Sequence, residues 1–260
     1  MSRLPRRSVV NADRRKTVAG DDPRDDDRGG TLPVACTSCQ IGTGGICKVL
    51  APAQLRELGK AVKHRRLDAG SRLVGQGEPV ASYVNVLRGV VKLSKLLSDG
   101  RQQIVGLQFS SDFVGRPFSA ESPVTAEAAV DLEVCVIPKT TMDRLLAEQQ
   151  ELQHRLHEQT LADLDLARDW MLTLGRKKAL EKVATFLYFI ADKNNVLNAT
   201  NVEFELPLTR EEMADFLGLT IETVSRQMTN LRKTAIISIQ NKRIVNCPDL
   251  ARLKRAGGIE

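Results

Sequence analysis

Three of the chain's five cysteines crowd into one short stretch, VACTSCQIGTGGICKVL, where Cys36, Cys39 and Cys47 stand as C-x2-C-x7-C. Thiolates are soft ligands for iron and zinc, and Gly42, Gly44 and Gly45 let the backbone wrap closely around a compact group. Tetrahedral iron or zinc sites take four ligands, and the chain supplies only Cys135 and Cys247 besides. A zinc ribbon presents two paired C-x2-C knuckles. With one knuckle here, a three-plus-one arrangement is closer to a cluster site, while structural zinc and reversible thiol oxidation use the same residue types. A thioredoxin-like pair is disfavoured, because that motif opens a helix in a βαβ unit and this one sits in a Gly-rich loop. Cys135 falls in LEVCVIP, a predicted strand that can carry it toward the loop. Cys247 is expected beyond a C-terminal hairpin, far along the chain, and is left out of the site.

A second set of residues has the chemistry of base reading. In LTREEMADFLGLTIETVSRQMTNLR, Leu208 to Arg232, Thr209 caps a first helix with Glu211 and Glu212 in its first turn, and Gly218 breaks it. Thr220 caps a second helix that turns Ile221, Val224 and Met228 inward and Glu222, Thr223, Ser225, Arg226 and Gln227 outward. A carboxylate can accept from a cytosine amino group, and Arg can hold guanine O6 and N7 together. Ser or Thr serves a base or a phosphate. This is a helix-turn-helix whose second helix enters a major groove, with Arg210, Thr220 and Thr223 completing the candidate DNA contacts.

The remaining elements must position these two sets. Residues 1–30 are rich in Arg, Asp and Gly and too poor in apolar side chains to order themselves, so they read as a disordered tail. Pro52 to His64 is expected to be a short helix. From Arg65 to Pro138, short alternating segments separated by turns such as Ser98-Asp-Gly-Arg predict an antiparallel jelly roll. A shorter helix, KTTMDRLLAEQ, leads into a long one from Glu151 to Leu174, ended by Gly175. Its stripe of Leu152, Leu156, Thr160, Leu164, Ala167, Met171 and Leu174 fits either core against its own sheet or a seam with a twofold mate, and the seam is favoured because helix-turn-helix proteins reach two half-sites as dimers. Asp163, Asp165 and Asp169 near that seam would keep the dimer marginal, which suits a switch. Lys177 to Lys193 is a further helix and Asn194 to Glu205 a polar loop. Ile236 to Ile239 and Arg243 to Asn246 form a winged hairpin with Lys242 and Arg243 near phosphate.

The expected organisation is therefore α+β: tail 1–30, cysteine loop and β jelly-roll sensory domain 31–138, linker and dimerisation helices 139–175, and winged helix-turn-helix 176–260. A length of 260 residues with 42% hydrophobic composition supports two domains with real cores. The net charge of +6 is a mild bias toward a polyanion. With no 18-residue apolar run and no signal-like N-terminus, no membrane span is expected and the chain is placed in the cytoplasm. His64, His154 and His157 fall in predicted helices without a nucleophile or metal spacing, so they are read as surface residues and no enzyme is expected.

Taken together these residues resemble the catabolite-activator/FNR superfamily of bacterial transcription regulators, and within it the FNR-type oxygen sensors, especially alphaproteobacterial FNR-like proteins. The resemblance covers Cys36 to Leu253 and is carried by the cysteine loop, DFVGRP (Asp112 to Pro117), EVCVIP (Glu133 to Pro138) and LTREEMADFLGLTIETVSRQ (Leu208 to Gln227). It implies a sensory jelly roll, a long dimerisation helix and a winged helix-turn-helix. It also implies one oxygen-labile 4Fe-4S cluster per chain on Cys36, Cys39, Cys47 and Cys135, favouring a homodimer that controls anaerobic metabolism genes according to oxygen supply. The family's E-x2-S-R reading set falls on Glu222, Ser225 and Arg226, implying TTGAT and ATCAA half-sites in an inverted repeat with four base pairs between them. RNA polymerase is an implied partner, with the turn Ser98 to Arg101 as a candidate contact. Two departures stand out. The spacing between Cys39 and Cys47 is longer than in the best known enterobacterial member. Gly115-Arg116-Pro117 replaces the Gly-Glu pair of nucleotide-binding relatives, with no Arg-Ser pair following, so cyclic AMP is not expected to bind.

Overall fold

The structure, a computed structural model, describes residues 45–194 and 201–259. The tail 1–30, Cys36 and Cys39 lie outside the described residues. The described chain opens with a 3-10 helix, Ile46–Val49, and α1, Pro52–Ala61, which starts on a proline suited to a first turn. Eight strands follow: β1 Lys63–Leu67, β2 Arg72–Val74, β3 Ser82–Arg88, β4 Val91–Leu96, β5 Gln102–Gln108, β6 Phe113–Val114, β7 Thr125–Ala128 and β8 Leu132–Pro138. They form two antiparallel four-stranded sheets in the orders β1-β8-β3-β6 and β2-β7-β4-β5. This is the expected jelly roll.

The period of two along the strands divides two cores. Val84, Val86, Val114, Val134 and Val136 turn into the sandwich to meet Val91, Ala126 and Ala128. Their neighbours Tyr83, Phe113, Cys135 and Ile137 turn outward, where the 3-10 helix, α1 and the following helices cover them. Those helices are α2, Lys139–Glu148, and α3, Gln150–Arg176. Met142, Leu145, Leu146 and Leu152 supply the cover, each at most 3% exposed. Burying such side chains contributes roughly 1.5–3 kcal/mol apiece, so the long helix is anchored to the sheet by its first turns.

Several boundaries differ from the sequence reading. His64 lies on β1, not in a helix. The long helix passes through Gly175 and ends at Arg176, because one helical glycine costs only about 1 kcal/mol and 27 residues of helix absorb it. The next helix, α4, is Ala179–Lys193, with the Glu181 carboxylate accepting from the Lys178 N–H at 2.7 Å. Within the expected polar loop, Val202–Glu205 is a strand, β9, with alternating burial.

The C-terminal part continues with α5, Arg210–Leu217, and α6, Ile221–Lys233. The wing strands are β10, Ser238–Gln240, and β11, Ile244–Cys247, in the order β10-β11-β9. Cys247 is therefore inside the wing sheet, opposite Val202, rather than beyond it. A closing helix, α7, Leu250–Ala256, is capped by the Asp249 carboxylate.

An aromatic chain links the sandwich to this part. Phe109 packs edge-on against Phe189 of α4 (5.7 Å between centroids), which meets Trp170 of α3 (5.4 Å), which meets Phe216 of α5 (4.6 Å). Perpendicular ring pairs of this kind contribute about 0.5–1.5 kcal/mol beyond the area they bury.

Candidate DNA interface and cysteine site

The reading head is built by its caps. Thr209 Oγ1 accepts from the Glu212 N–H at 3.2 Å while Glu212 Oε2 accepts from the Thr209 N–H at 2.8 Å, a reciprocal box that fixes the start of α5. Gly218 follows with φ +59, a left-handed conformation that glycine takes without strain, and it turns the chain into α6. Thr220 Oγ1 accepts from the Thr223 N–H at 3.2 Å, so its side chain is committed first to capping α6.

Beneath the recognition helix, Val224, Met228 and Leu231 are buried. Glu222, Ser225 and Arg226 lie exposed on the opposite face, and Thr223 is half-buried. Ile221, expected inward, is 43% exposed at the first turn, where no neighbour yet covers it. The backbone N–H at Glu222 and the Thr220 side chain hold the Glu222 carboxyl below its usual range, leaving an ionised acceptor at the helix tip. Arg210 differs from its neighbours: it is half-buried, burial lowers its pKa, and its Nη1 lies 3.2 Å from Met213 Sδ. It lines a cavity of about 480 Å3 with Arg232, Lys242 and Arg243, alongside the hydroxyls of Thr209, Ser225 and Thr229. Four cations and no carboxylate line that cavity, which suits a phosphate backbone passing between α5 and the wing. Arg232 was not among the sequence candidates. Its position about three turns beyond the helix cap hid it, whereas the wing residues were marked by their hairpin.

Two of the four candidate ligands, Cys47 and Cys135, fall among the described residues. Cys47 sits on the 3-10 helix and Cys135 on the outward face of β8, and both belong to the same apolar cluster. Asn85 joins them: it lies opposite Cys135 across the β3–β8 ladder, is 2% exposed, and its Nδ2 donates to Cys47 Sγ at 3.6 Å. Asn85 Oδ1 accepts no hydrogen bond among the described residues. Sequence reasoning missed Asn85, although an amide in the middle of the apolar run YVNVL was a readable signal. Among the described residues no three metal-ligating side chains converge. Cys247 belongs to a different core, at 0% exposure, and burial raises its thiol pKa, which disfavours a thiolate.

The predicted seam on α3 divides. Leu152 is 1% exposed and Leu156 half-buried, both packed into their own protomer, so Leu152 presents nothing to a mate. Thr160, Leu164, Ala167 and Met171 are exposed, and the apolar side chains left uncovered are Leu161, Leu164, Met171 and Leu172 at 44–72% exposure. The 4-residue steps at the start of the stripe rotated it from the core face to the open face.

Between the sandwich and α3 lies a cavity of about 840 Å3, lined chiefly by apolar groups including Leu73, Val84, Leu93, Phe113 and Leu156, with Arg116, His157 and Asp163 among its polar lining. The DFVGRP turn at its edge is structurally constrained. Asp112 Oδ2 accepts from the Phe109 N–H at 2.8 Å, and a Cβ on Gly115 would stand 2.3 Å from Tyr83 Cδ1. Among the described residues no helix is long and apolar enough to cross a membrane.

Comparison with known proteins bears on both halves. A family model for a Crp-like helix-turn-helix domain matches residues 181–256, and one for a cyclic nucleotide-binding domain matches residues 64–149. A probable transcriptional activator of Rhizobium leguminosarum bv. viciae is 55% identical over 223 residues, covering 86% of this chain and 93% of that protein. The transcriptional activator protein FnrL of Cereibacter sphaeroides is 38% identical over 232 residues, covering 88% of this chain and 94% of its own. The solved structure of FixK2 from Bradyrhizobium japonicum superposes with a TM-score of 0.69 at 30% identity, over 75% of this chain and 96% of that one. With the jelly roll, the long helix and the capped reading head all in place, the chain belongs to the CRP/FNR family of transcription regulators.

Proposed function

We propose that this regulator senses oxygen through one 4Fe-4S cluster per chain, held by Cys36, Cys39, Cys47 and Cys135, and that the loaded homodimer binds inverted-repeat DNA at anaerobic metabolism genes. The observation that carries this reading is the convergence of Cys47 and Cys135, 88 positions apart in sequence, on one face of β8 beside a buried amide donor. The donor set fits the group: thiolates carry excess negative charge, and the Asn85 N–H offers one of them a hydrogen bond inside an apolar shell. When bound, the cluster supplies oxygen-reactive iron. The chain's own residues do the rest. Cys47 ties the N-terminal segment to the sheet, and the same cluster of side chains contains Leu146 and Leu152, so the tie bears on the root of α3. A second copy covers Leu161, Leu164, Met171 and Leu172 on that helix, and acids at Asp165 and Asp169 keep the pairing marginal. Two recognition helices then present Glu222, Ser225 and Arg226 to successive major grooves, while Arg210, Arg232, Lys242 and Arg243 hold phosphates. Thr220 and Thr223 set the helix tip. The chiefly apolar cavity beside the sandwich and the Gly115-Arg116-Pro117 turn favour regulation without cyclic AMP. The protein acts where the DNA is, in the cytoplasm, and the turn Ser98 to Arg101, braced by Asp99 accepting from the Arg101 backbone at 3.0 Å, is its proposed contact with RNA polymerase.

The test is an absorption spectrum with iron and acid-labile sulfide analysis on protein purified without oxygen. About four irons per chain, with visible absorption that bleaches in air, is the expected result. Colourless protein that still binds the inverted repeat after attempted cluster reconstitution would favour zinc or thiol oxidation instead and overturn the cluster.

The base-reading assignment makes its own prediction. Arg226→Ala is expected to cost about 1–3 kcal/mol of specific binding and to relax discrimination at one guanine, as loss of a bidentate contact does. Titration against the site and its single-base variants measures both, and equal losses on specific and random DNA would remove Arg226 from the reading set.

A further inference from the structure

Lys92 is the second residue of β4, and only 12% of its side chain is exposed. Its ammonium meets two carboxylates at 2.6 Å each: Glu127 Oε1, its cross-strand partner on β7, and Glu212 Oε1 on α5, 120 residues along the chain. Glu212 divides its two oxygens between two tasks. Oε2 accepts from the Thr209 N–H and closes the capping box, while Oε1 takes the bond from Lys92. At the other end of the same helix, Gln103 Nε2 of β5 donates to the Phe216 carbonyl at 3.1 Å. The first helix of the helix-turn-helix is thus held at both ends by side chains of the β4–β5 hairpin.

Sequence reading found Glu212 only as a first-turn acid and gave Lys92 no role. Burial alone would push the Lys92 pKa down, yet its two carboxylates leave it raised, and the Lys92 bond contributes to holding Glu212 low. Hydrogen bonds between ionised partners are about twice as strong as neutral ones, and this pair is largely shielded from water. Without Lys92, two carboxylates would face each other across the junction and drive α5 away from β4.

We propose that Lys92 is a positioning residue for DNA recognition: through Glu212 Oε1, and with Gln103, it fixes the angle of the reading head against the sensory sandwich. The inference rests on the dimeric reading given above. A dimer must set its two recognition helices about 34 Å apart to enter successive grooves, so specific binding is sensitive to that angle. Nonspecific binding, made of phosphate contacts, tolerates a change in it.

Glu212→Gln separates the two tasks, because the amide oxygen can still cap Thr209 while the amide nitrogen replaces the acceptor facing Lys92. Full-length Lys92→Met, Glu212→Gln and the double variant would be titrated with the inverted-repeat duplex and with a random duplex. Each single variant is expected to lose about tenfold on the repeat, within the usual range of coupling between sites. Random-duplex affinity stays within about twofold, and the double variant is no worse than the weaker single. Proportional losses on both duplexes, losses that multiply in the double variant, or a shift in thermal stability with DNA binding unchanged would each overturn the proposal. Iron content and dimer mass, read on the same samples, separate its failure from that of the cluster or dimer.

Discussion

Protein carrying Cys135→Ala is expected to fold and, with the cluster proposed above, to lose its iron, falling from about four irons per chain to a small fraction of one, because a cubane cluster held by three thiolates is exposed to exchange. The stability cost is small. Cys135 is 8% exposed on a strand paired on both sides, and the change removes a single sulfur from a sheet whose hydrogen bonds are untouched, at about 1 kcal/mol. Specific DNA binding without oxygen should fall together with the iron, while circular dichroism stays that of the parent. Cys247→Ala is the matched control. It deletes a sulfur buried at 0% exposure in the wing sheet, so it lowers stability comparably and leaves iron and DNA binding intact. Iron retained in the first variant, or lost in the second, would mean that the fourth ligand is misassigned.

The second large effect is expected at Trp170. Trp170→Ala removes a ring wedged between Phe189 and Phe216 and opens a gap where α3, α4 and α5 meet. Truncating large aromatics costs roughly 3–5 kcal/mol when they are buried, and this ring is half-buried, so about 3 kcal/mol is expected in urea unfolding followed by circular dichroism. Specific DNA affinity should fall as well, since Phe216 stands on the helix that carries the reading head. A loss under about 1 kcal/mol would mean that α5 closes onto α4 without the ring.

Local chemistry made much of this architecture readable in advance. Thr209, Thr220 and Gly218 act at their own positions, and the structure uses all three as their types require. The strands were legible where one face is buried, as in LEVCVIP, because burial imposes the alternation. They were not where both faces meet water. The strand Lys63–Leu67 reads KHRRL, and four exposed charged or polar side chains carry no period, so His64 looked like the end of a helix. Basic side chains on such an edge also discourage pairing with other chains. The seam on α3 failed at Leu152 for a different reason: a stripe of leucines shows that a helix is covered, but not by which partner. The roles of Asn85 and Lys92 depend on neighbours 38 and 120 positions away, and no window along the sequence contains both members of either pair.

The aromatic chain from Phe109 to Phe216 has an optical corollary. Trp170 is the chain's only indole, and it stands where the long helix, the hairpin side and the reading head come together. Emission excited at the red edge of protein absorption therefore comes from one address. Its wavelength and quenching report how closely that junction is shut against water, with no residue altered. A stopped-flow trace of native protein meeting air or DNA would time the movement of the junction without a label, and, for the cluster proposed above, the delay between loss of visible colour and change of emission would show how fast a message travels from the cysteines to the DNA.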